Sequence, residues 1–115
     1  MLGPSRLFGH ALLSTVLLGF ASAQEGPKRD FSRDVLPILS DRCFHCHGPD
    51  EAHRKAGLRL DSEESAKSER EGVAAIVPGD PSKSALIARI TSKDPDEIMP
   101  PADSHRKPLS AEQID

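Results

Sequence analysis

Hydrophobic positions after residue 30 recur at spacings that predict short helices. Between Phe31 and Leu39 they fall on one face of a helix, and Asp30 or Ser32 is placed to cap that helix. Pro37 has no amide hydrogen, so the helix either kinks or properly begins there. We expect it to lead into Cys43 and to be broken by Gly48–Pro49.

Two further helices are predicted in the middle of the chain. Asp61-x-x-Glu64 resembles a capping box and predicts a short helix over about 62–69, which Gly72 closes. Residues 73–77 form a brief apolar run, interpreted as strand or loop, and a turn follows over 78–81. Ser82 is the predicted cap of a helix that extends to Ile90.

The last residues predict the start of another helix. Ser110-x-x-Gln113 forms a second capping box, and the chain stops one turn later, at Asp115. A single turn of helix is not stable alone, so we expect this chain to be part of a longer protein. The predicted elements are therefore mostly short helices, and the last of them is cut short at Asp115.

The N-terminus has the pattern of a secretory signal peptide. Arg6 is followed by an apolar run over 11–20, which is too short to span a bilayer comfortably, and then by Ala21-Ser22-Ala23. We therefore predict a signal peptide over 1–23, a flexible mature N-terminus over 24–30 and one domain over 31–115, incomplete at its C-terminus. A retained membrane anchor is the alternative interpretation of 1–23.

Composition narrows the function classes. The formal net charge is −3 and no basic stripe is present, which argues against nucleic-acid binding. After residue 23, Phe31 and Phe44 are the only Phe, Trp or Tyr residues. A small domain this poor in large apolar groups usually needs a disulfide, a metal or a bound cofactor. Composition makes a cofactor plausible without identifying it.

The sequence Cys43-Phe44-His45-Cys46-His47 carries the chemistry. Cys-x-x-Cys-His is the attachment signature of c-type haem. Residues three apart lie on one face of a helical turn, so both thiols reach one edge of a porphyrin. His47 then projects its imidazole at the iron. The predicted signal peptide supports this interpretation, because c-type haem is attached outside the cytoplasm.

Three alternatives use the same residues. A disulfide oxidoreductase needs a βαβ scaffold, and no comparable strand pattern is present. A zinc site would combine Cys43 and Cys46 with two of His47, His53 and His105, although adjacent Cys46 and His47 make an awkward ligand pair. The third alternative is a plain Cys43–Cys46 disulfide.

Met99 is the leading candidate for the sixth iron ligand. It is the only Met after the predicted signal peptide, and Pro100–Pro101 follow it in a loop with few apolar neighbours. A thioether ligand suits an electron-transfer haem. His53 and His105 are the rival ligands, and His45 is interpreted as an exposed spacer within the motif.

Cations that could neutralise the haem propionates are numerous. The sequence does not choose among these candidates, most of which are expected to be solvated: Arg42, Arg59, Lys83 and Arg89.

The motifs in combination resemble the planctomycete-type cytochrome c domain. The resemblance runs from about Phe31 to Asp115. It rests on the segment 31–39, Cys43-x-x-Cys46-His47-Gly48, the segments 57–61 and 76–84, Met99-Pro100-Pro101 and Leu109-Ser110. It implies a small all-α domain wrapped around one covalent haem, with thioethers at Cys43 and Cys46, proximal ligation by His47 and distal ligation by Met99.

The sequence therefore predicts an exported, periplasmic or extracytoplasmic, c-type cytochrome module that transfers electrons. The resemblance implies a larger exported protein, and we expect the redox partner to be a domain of that same chain or a docking protein. Membrane contact is expected only through an uncleaved signal sequence. The alternatives are a haem peroxidase or sensor with a labile sixth position, and a haem-free interaction domain held by a disulfide. Whether the protein is an enzyme stays open, since these residues show no substrate chemistry.

Overall fold

The computed structural model describes Met1, Gly3 and residues 26–115. The predicted signal peptide, apart from those two positions, lies outside the described residues. The first helical segment begins where the Asp30 side chain accepts a hydrogen bond from the amide of Arg33, at 2.8 Å. A π-helical turn over Phe31–Val35 continues directly as helix α1, Leu36–Arg42. Pro37 is the second residue of α1, directly after the π-helical turn, which agrees with the predicted kink or start of the helix at this position.

The second helix is capped by a different residue from the predicted one. Helix α2 spans Glu63–Lys67, and the side chain of Ser62 accepts a hydrogen bond from the amide of Ser65. Asp61 is not the cap, because its carboxylate accepts hydrogen bonds from Arg59 instead. The side chain one residue later therefore takes over the capping position.

A two-stranded antiparallel sheet follows α2. Strand β1 is Glu69–Arg70 and strand β2 is Val73–Ala74, with Glu69 opposite Ala74. The turn between them places Glu71 and Gly72 at φ of 53° and 80°, and glycine adopts this left-handed region without strain. Most of the regular secondary structure in the described residues is helical, but this hairpin means that the fold is not purely helical.

The third helix begins later than predicted. Asp80 caps a 3₁₀ turn over Pro81–Lys83, and helix α3 spans Ala85–Thr91 with Ser84 at its N-cap. Ser82, the predicted cap, instead donates a hydrogen bond to Asp80 at 2.6 Å. Because a proline follows Asp80, the chain makes a tight turn first and enters the α-helix only after Ser84.

The C-terminal part forms one more 3₁₀ turn and a short helix. The 3₁₀ turn spans Ala102–Ser104, and helix α4 spans Ala111–Ile114. The predicted capping box is present: Ser110 and Gln113 each accept a hydrogen bond from the backbone amide of the other. Helix α4 contacts α3.

The core is small and lies between α1, α2 and the hairpin. Its buried members are Leu39, Leu60, Ala66 and Ala75, and Phe44, Leu58 and Leu86 are among the partly buried residues that pack against them. Within residues 26–115, no side chain is less than 2% exposed. The core therefore contains little apolar volume of its own, as expected for a domain that needs additional stabilisation.

Among the residues that the structure describes, no helix has both the length and the apolar character needed to cross a bilayer.

Candidate functional site

The Cys-x-x-Cys-His motif forms a hydrogen-bonded turn directly after α1. The amide of Cys43 donates to the oxygen of Leu39, and the amide of His47 donates to the oxygen of Cys43, both at 2.8 Å. Gly48 is buried, and a Cβ atom there would lie 2.2 Å from the carbonyl oxygen of Phe44. Only glycine therefore fits after His47 without a backbone shift.

The loop over residues 55–60 holds the motif from the other side. The amide of Lys55 donates to the oxygen of Cys46, and the amide of Leu60 donates to the oxygen of His47, both at 2.8 Å. Between them, Ala56 and Gly57 adopt left-handed φ values of 53° and 61°. These two hydrogen bonds fix the backbone of both Cys46 and His47.

Both cysteines are free thiols in the structure. Burial raises the pKa of the Cys43 thiol, and the nearby Cys46 adds to this effect, while Arg42 acts against it. Cysteine nucleophiles of disulfide oxidoreductases have lowered pKa values, because the thiolate is the attacking species. The direction of the shift at Cys43 therefore argues against that alternative.

His47 is half-buried beside the two thiols. Its Nδ1 atom is buried and forms no hydrogen bond of acceptable geometry with any residue that the structure describes. Burial lowers the pKa of His47, whereas the backbone groups of Lys55 and Leu58 act in the opposite direction. The imidazole is thus favoured in its neutral form, which is the form that binds metals.

Two cavities meet at the motif. The first, named here the motif cavity, has a volume of about 540 Å³. It is lined by Cys43, His45, Cys46, His47, Lys55, Met99, Pro100, Pro101, Asp103, Ser104 and His105. The second, named here the apolar cavity, has a volume of about 340 Å³. It is lined by Cys43, His47, Ala56, Leu58, Leu60, Arg70, Val73, Ala75, Ala85, Leu86, Arg89, Ile90 and Met99.

Three residues line both cavities: Cys43, His47 and Met99. Cys46 lines the motif cavity only. The structure thus places all four predicted site residues on the walls of these two neighbouring cavities. Each cavity has the size expected of a small-molecule or cofactor site.

The backbone of Met99 is tied to helix α3. Its amide donates a hydrogen bond to the carbonyl oxygen of Arg89 at 3.1 Å, and the Arg89 guanidinium donates to the oxygen of Glu97 at 3.3 Å. Pro100, which follows Met99, is buried. The loop that carries the thioether is therefore held at a defined position beside the cavities.

The rival histidine ligands lie elsewhere or reach only one cavity. His53 lines neither cavity, and its Nδ1 atom is 2.6 Å from the Asp50 carboxylate. His105 lines the motif cavity alone. His45 is exposed, as predicted for a spacer, and its ring stacks on that of His53 with centroids 5.1 Å apart. Met99 is thus the candidate that lies on the same two cavities as His47.

The structure gives no support to a zinc site. In the described part of the chain, no group of three or more His, Cys, Asp or Glu residues is arranged to hold a metal ion.

Comparison with protein families matches residues 43–103, more than half of the chain, to the family described as Planctomycete cytochrome C. The chain belongs to the Planctomycete cytochrome C family. No curated protein and no solved structure shows a significant match. Membership in this cytochrome c family indicates a haem-binding, electron-transfer module.

The residues of this family member fit a covalent haem. Two free thiols are available for thioether bonds, and a neutral imidazole and a thioether supply the two kinds of axial ligand found in electron-transfer cytochromes. The buried Nδ1 atom of His47 also has a role in such a site, since an iron-bound histidine donates its other ring hydrogen to a neighbouring group. The nearby backbone of Lys55 and Leu58 offers that acceptor.

Sequence reasoning missed the hairpin side of the site. Arg70 and Val73 line the apolar cavity from strands β1 and β2. The available signal was Glu71-Gly72, a turn dipeptide directly before the apolar run that starts at Val73. Such a turn predicts a hairpin, and Arg70 would then have been placed beside the apolar run.

Proposed function

We propose that this chain is an exported c-type cytochrome module that carries one haem bound covalently to Cys43 and Cys46. His47 is its proximal iron ligand and Met99 its distal ligand. The observation that carries the proposal is the arrangement of the two cavities, since Cys43, His47 and Met99 line both of them. Export is part of the proposal because covalent haem attachment takes place outside the cytoplasm.

Haem, when bound, supplies reversible one-electron chemistry between ferrous and ferric iron. The protein positions and insulates that group. The thiols of Cys43 and Cys46 anchor it, so that a domain with a small core of its own retains its cofactor. The hydrogen bond from Leu60 to the oxygen of His47 fixes the backbone that carries the proximal imidazole.

Met99 would supply the sixth ligand of such a haem. Its backbone hydrogen bond to Arg89 fixes the loop that carries the thioether beside the cavities. A filled sixth position supports electron transfer over catalysis at iron, and methionine ligation raises the reduction potential. The redox partner is proposed to be a protein domain, attached or docking, and these residues perform no bond-making step on a substrate.

Two measurements on the exported, haem-loaded chain test this function. A redox titration is expected to show one reversible one-electron couple. The ferrous protein is expected to resist carbon monoxide at neutral pH, because a bound thioether occupies the sixth position. Rapid carbon monoxide binding together with turnover of hydrogen peroxide would instead establish the peroxidase or sensor alternative.

A matched pair of proteins, wild type and double variant, separates haem attachment from disulfide formation. The double variant Cys43→Ala/Cys46→Ala is expected to be exported without covalent haem. In the wild-type protein, thiol titration is expected to find no reactive thiols and haem extraction to leave the haem on the chain. A haem-free, folded wild-type protein with an intact disulfide would contradict the proposal.

A further inference from the structure

The apolar cavity is lined by two basic residues. Most of its other lining residues are apolar, and the two basic residues are Arg70, which is half-buried, and Arg89, which is exposed. Neither Asp nor Glu is among its lining residues. A cavity with this lining suits a ligand that combines a large apolar body with two anionic groups.

Arg70 and Arg89 differ from the other candidate propionate-binding cations because they have no carboxylate partner among the described residues. Within residues 26–115, neither Arg70 nor Arg89 forms a salt bridge with a carboxylate. The remaining cations that the sequence suggests for propionate binding are each neutralised locally. Their pairs are Arg42 with Asp41, Arg59 with Asp61 and Lys83 with Asp80. None of these three cations lines either cavity.

The position of the two arginines also agrees with the shape of a haem. The porphyrin is a rigid plane whose propionates lie on the edge opposite the vinyl groups. Cys46 lines only the motif cavity, whereas Arg70 and Arg89 line only the apolar cavity. A haem anchored through both thiols would therefore direct its carboxylates towards the cavity that the two arginines line.

Arg70 is held in place before any ligand binds. Its guanidinium donates to the carbonyl oxygen of Ser65 at 2.8 Å and to the Ser65 hydroxyl at 2.7 Å. Longer bonds reach the carbonyl oxygens of Ser68 and Gly57. These neutral acceptors engage the four terminal N–H groups and orient the side chain without cancelling its charge. The Nε–H group and the uncompensated charge remain to act on an anion.

Arg89 approaches from the opposite element, helix α3. Its only side-chain hydrogen bond to a described residue is to the oxygen of Glu97, at 3.3 Å. Its remaining N–H groups are therefore available to a ligand.

We propose that Arg70 and Arg89 bind the two carboxylates of the haem, one from the hairpin and one from helix α3. This inference rests on the proposed function, because it requires a haem anchored at Cys43 and Cys46. It assigns the two arginines a positioning and charge-balancing role. They orient the cofactor edge opposite the thioethers and they set its reduction potential.

The test uses the exported, haem-loaded full chain and its midpoint potential. Arg70→Gln and Arg89→Gln leave propionate charge uncompensated near the iron, which stabilises the ferric state. Each variant is expected to lower the equilibrium constant for reduction by roughly threefold to tenfold. A tenfold change corresponds to 59 mV for one electron. Resonance Raman spectra are expected to show shifted propionate bending bands.

Controls separate charge from structure. Arg59→Gln removes the same formal charge from a residue that lines neither cavity, and it is expected to leave the potential near that of the wild type. Arg70→Lys and Arg89→Lys retain the charge and are expected to restore most of the potential. If Arg70 only stabilised the fold through its hydrogen bonds, Arg70→Lys would lower the melting temperature. In that case no variant would change the midpoint potential.

The outcomes distinguish this inference from the proposed function. Wild-type protein without covalent haem overturns the proposed function, and the carboxylate assignment with it. Full haem loading, with potentials of the Arg70→Gln and Arg89→Gln variants equal to that of Arg59→Gln, overturns the carboxylate assignment alone. If Arg70→Gln fails to fold, Arg89→Gln and Arg89→Lys test the carboxylate assignment. These variants are expected to fold, because Arg89 loses a single side-chain hydrogen bond to a described residue.

Discussion

The amide of Met99 donates a hydrogen bond to the carbonyl oxygen of Arg89 at 3.1 Å, so the end of helix α3 fixes the proposed distal ligand. The same arginine is one of the residues that line the apolar cavity. Arg89 therefore contacts the Met99 loop through its backbone and is also part of the cavity wall. Displacement of α3 should therefore disturb the axial ligand and the charge of the cavity together.

Met99→Leu is the sharpest test of the distal ligand. Leucine has about the same volume, so packing is retained while the thioether is lost. We expect the ferric charge-transfer band of sulfur ligation to disappear, the potential to fall and carbon monoxide to bind.

His53→Ala and His105→Ala are the matched controls for Met99→Leu, because these two residues are the rival ligands. Both are expected to keep the wild-type spectrum. A normal spectrum for Met99→Leu, combined with an altered one for His105→Ala, would move the sixth ligand to His105.

Gly48→Ala should disrupt the motif turn. The added Cβ would lie 2.2 Å from the oxygen of Phe44, so the backbone next to His47 must move. Overpacking of this kind costs about 1–3 kcal/mol of folding free energy, or more. We expect a lower melting temperature and a smaller fraction of chains with attached haem.

Gly26→Ala is the control for this glycine, because a Cβ atom added at Gly26 would have no other atom within 4 Å among the described residues. Equal melting temperatures for Gly48→Ala and Gly26→Ala would show that the close approach to Phe44 is not a constraint.

Ser84→Ala should destabilise the entry into α3. Ser84 is only 6% exposed, and its hydroxyl accepts a hydrogen bond from the amide of Val77 at 2.9 Å while donating to the oxygen of Asp80 at 2.9 Å. Alanine would leave the Val77 amide unpaired, at a cost of about 1–3 kcal/mol.

Denaturant unfolding measures this cost, with Ser82→Ala as the exposed control. The account predicts a clearly larger loss for Ser84→Ala. A larger loss for Ser82→Ala would mean that its hydrogen bond to Asp80 contributes more to stability than the buried hydrogen bonds of Ser84.

The pH dependence of stability should include a contribution from Asp80. The hydrogen bond from the Ser82 hydroxyl is the main cause that lowers its pKa below the ordinary 3.8, and hydrogen bonds from Lys83 add to it. A carboxyl whose pKa is lowered by folding stabilises the folded state above the unfolded pKa. This contribution is lost as the pH falls through the folded pKa.

Melting temperatures of the wild type and of Asp80→Asn, measured from about pH 6 down to about pH 2, test this linkage. The difference between them is expected to shrink towards acid. A difference for Asp80→Asn that is constant with pH would contradict the assignment.

Local signals in the sequence predicted the parts of the fold that local interactions decide. The Ser110–Gln113 capping box and the Asp30 cap both involve residues three or four apart, and both are present. Ser82 was the wrong cap for α3, because Asp80 and Pro81 first impose a 3₁₀ turn. The cap of the 3₁₀ turn, Asp80, and the cap of α3, Ser84, lie within five residues of each other. The sequence pattern alone does not show which polar residue caps which helix.

The candidate site residues that the sequence predicted are those with a local signal. Cys43, Cys46 and His47 were predicted from their spacing, and Met99 from its setting before two prolines. The apolar cavity depends on distant contacts, such as the hydrogen bond from Leu60 to His47, which place the 55–60 loop against the motif. Arg70 was missed for this reason, since the short hairpin that carries it has meaning only once the chain has folded.

The central claim is covalent haem on Cys43 and Cys46, and a pyridine haemochrome spectrum tests it most directly. The measurement uses protein exported by a host with c-type haem maturation machinery, before and after extraction with acidified acetone. The account predicts a c-type spectrum that survives extraction, and its absence in the Cys43→Ala/Cys46→Ala variant. A soluble, folded wild-type protein without haem would contradict the account and return the two cysteines to a disulfide or metal role.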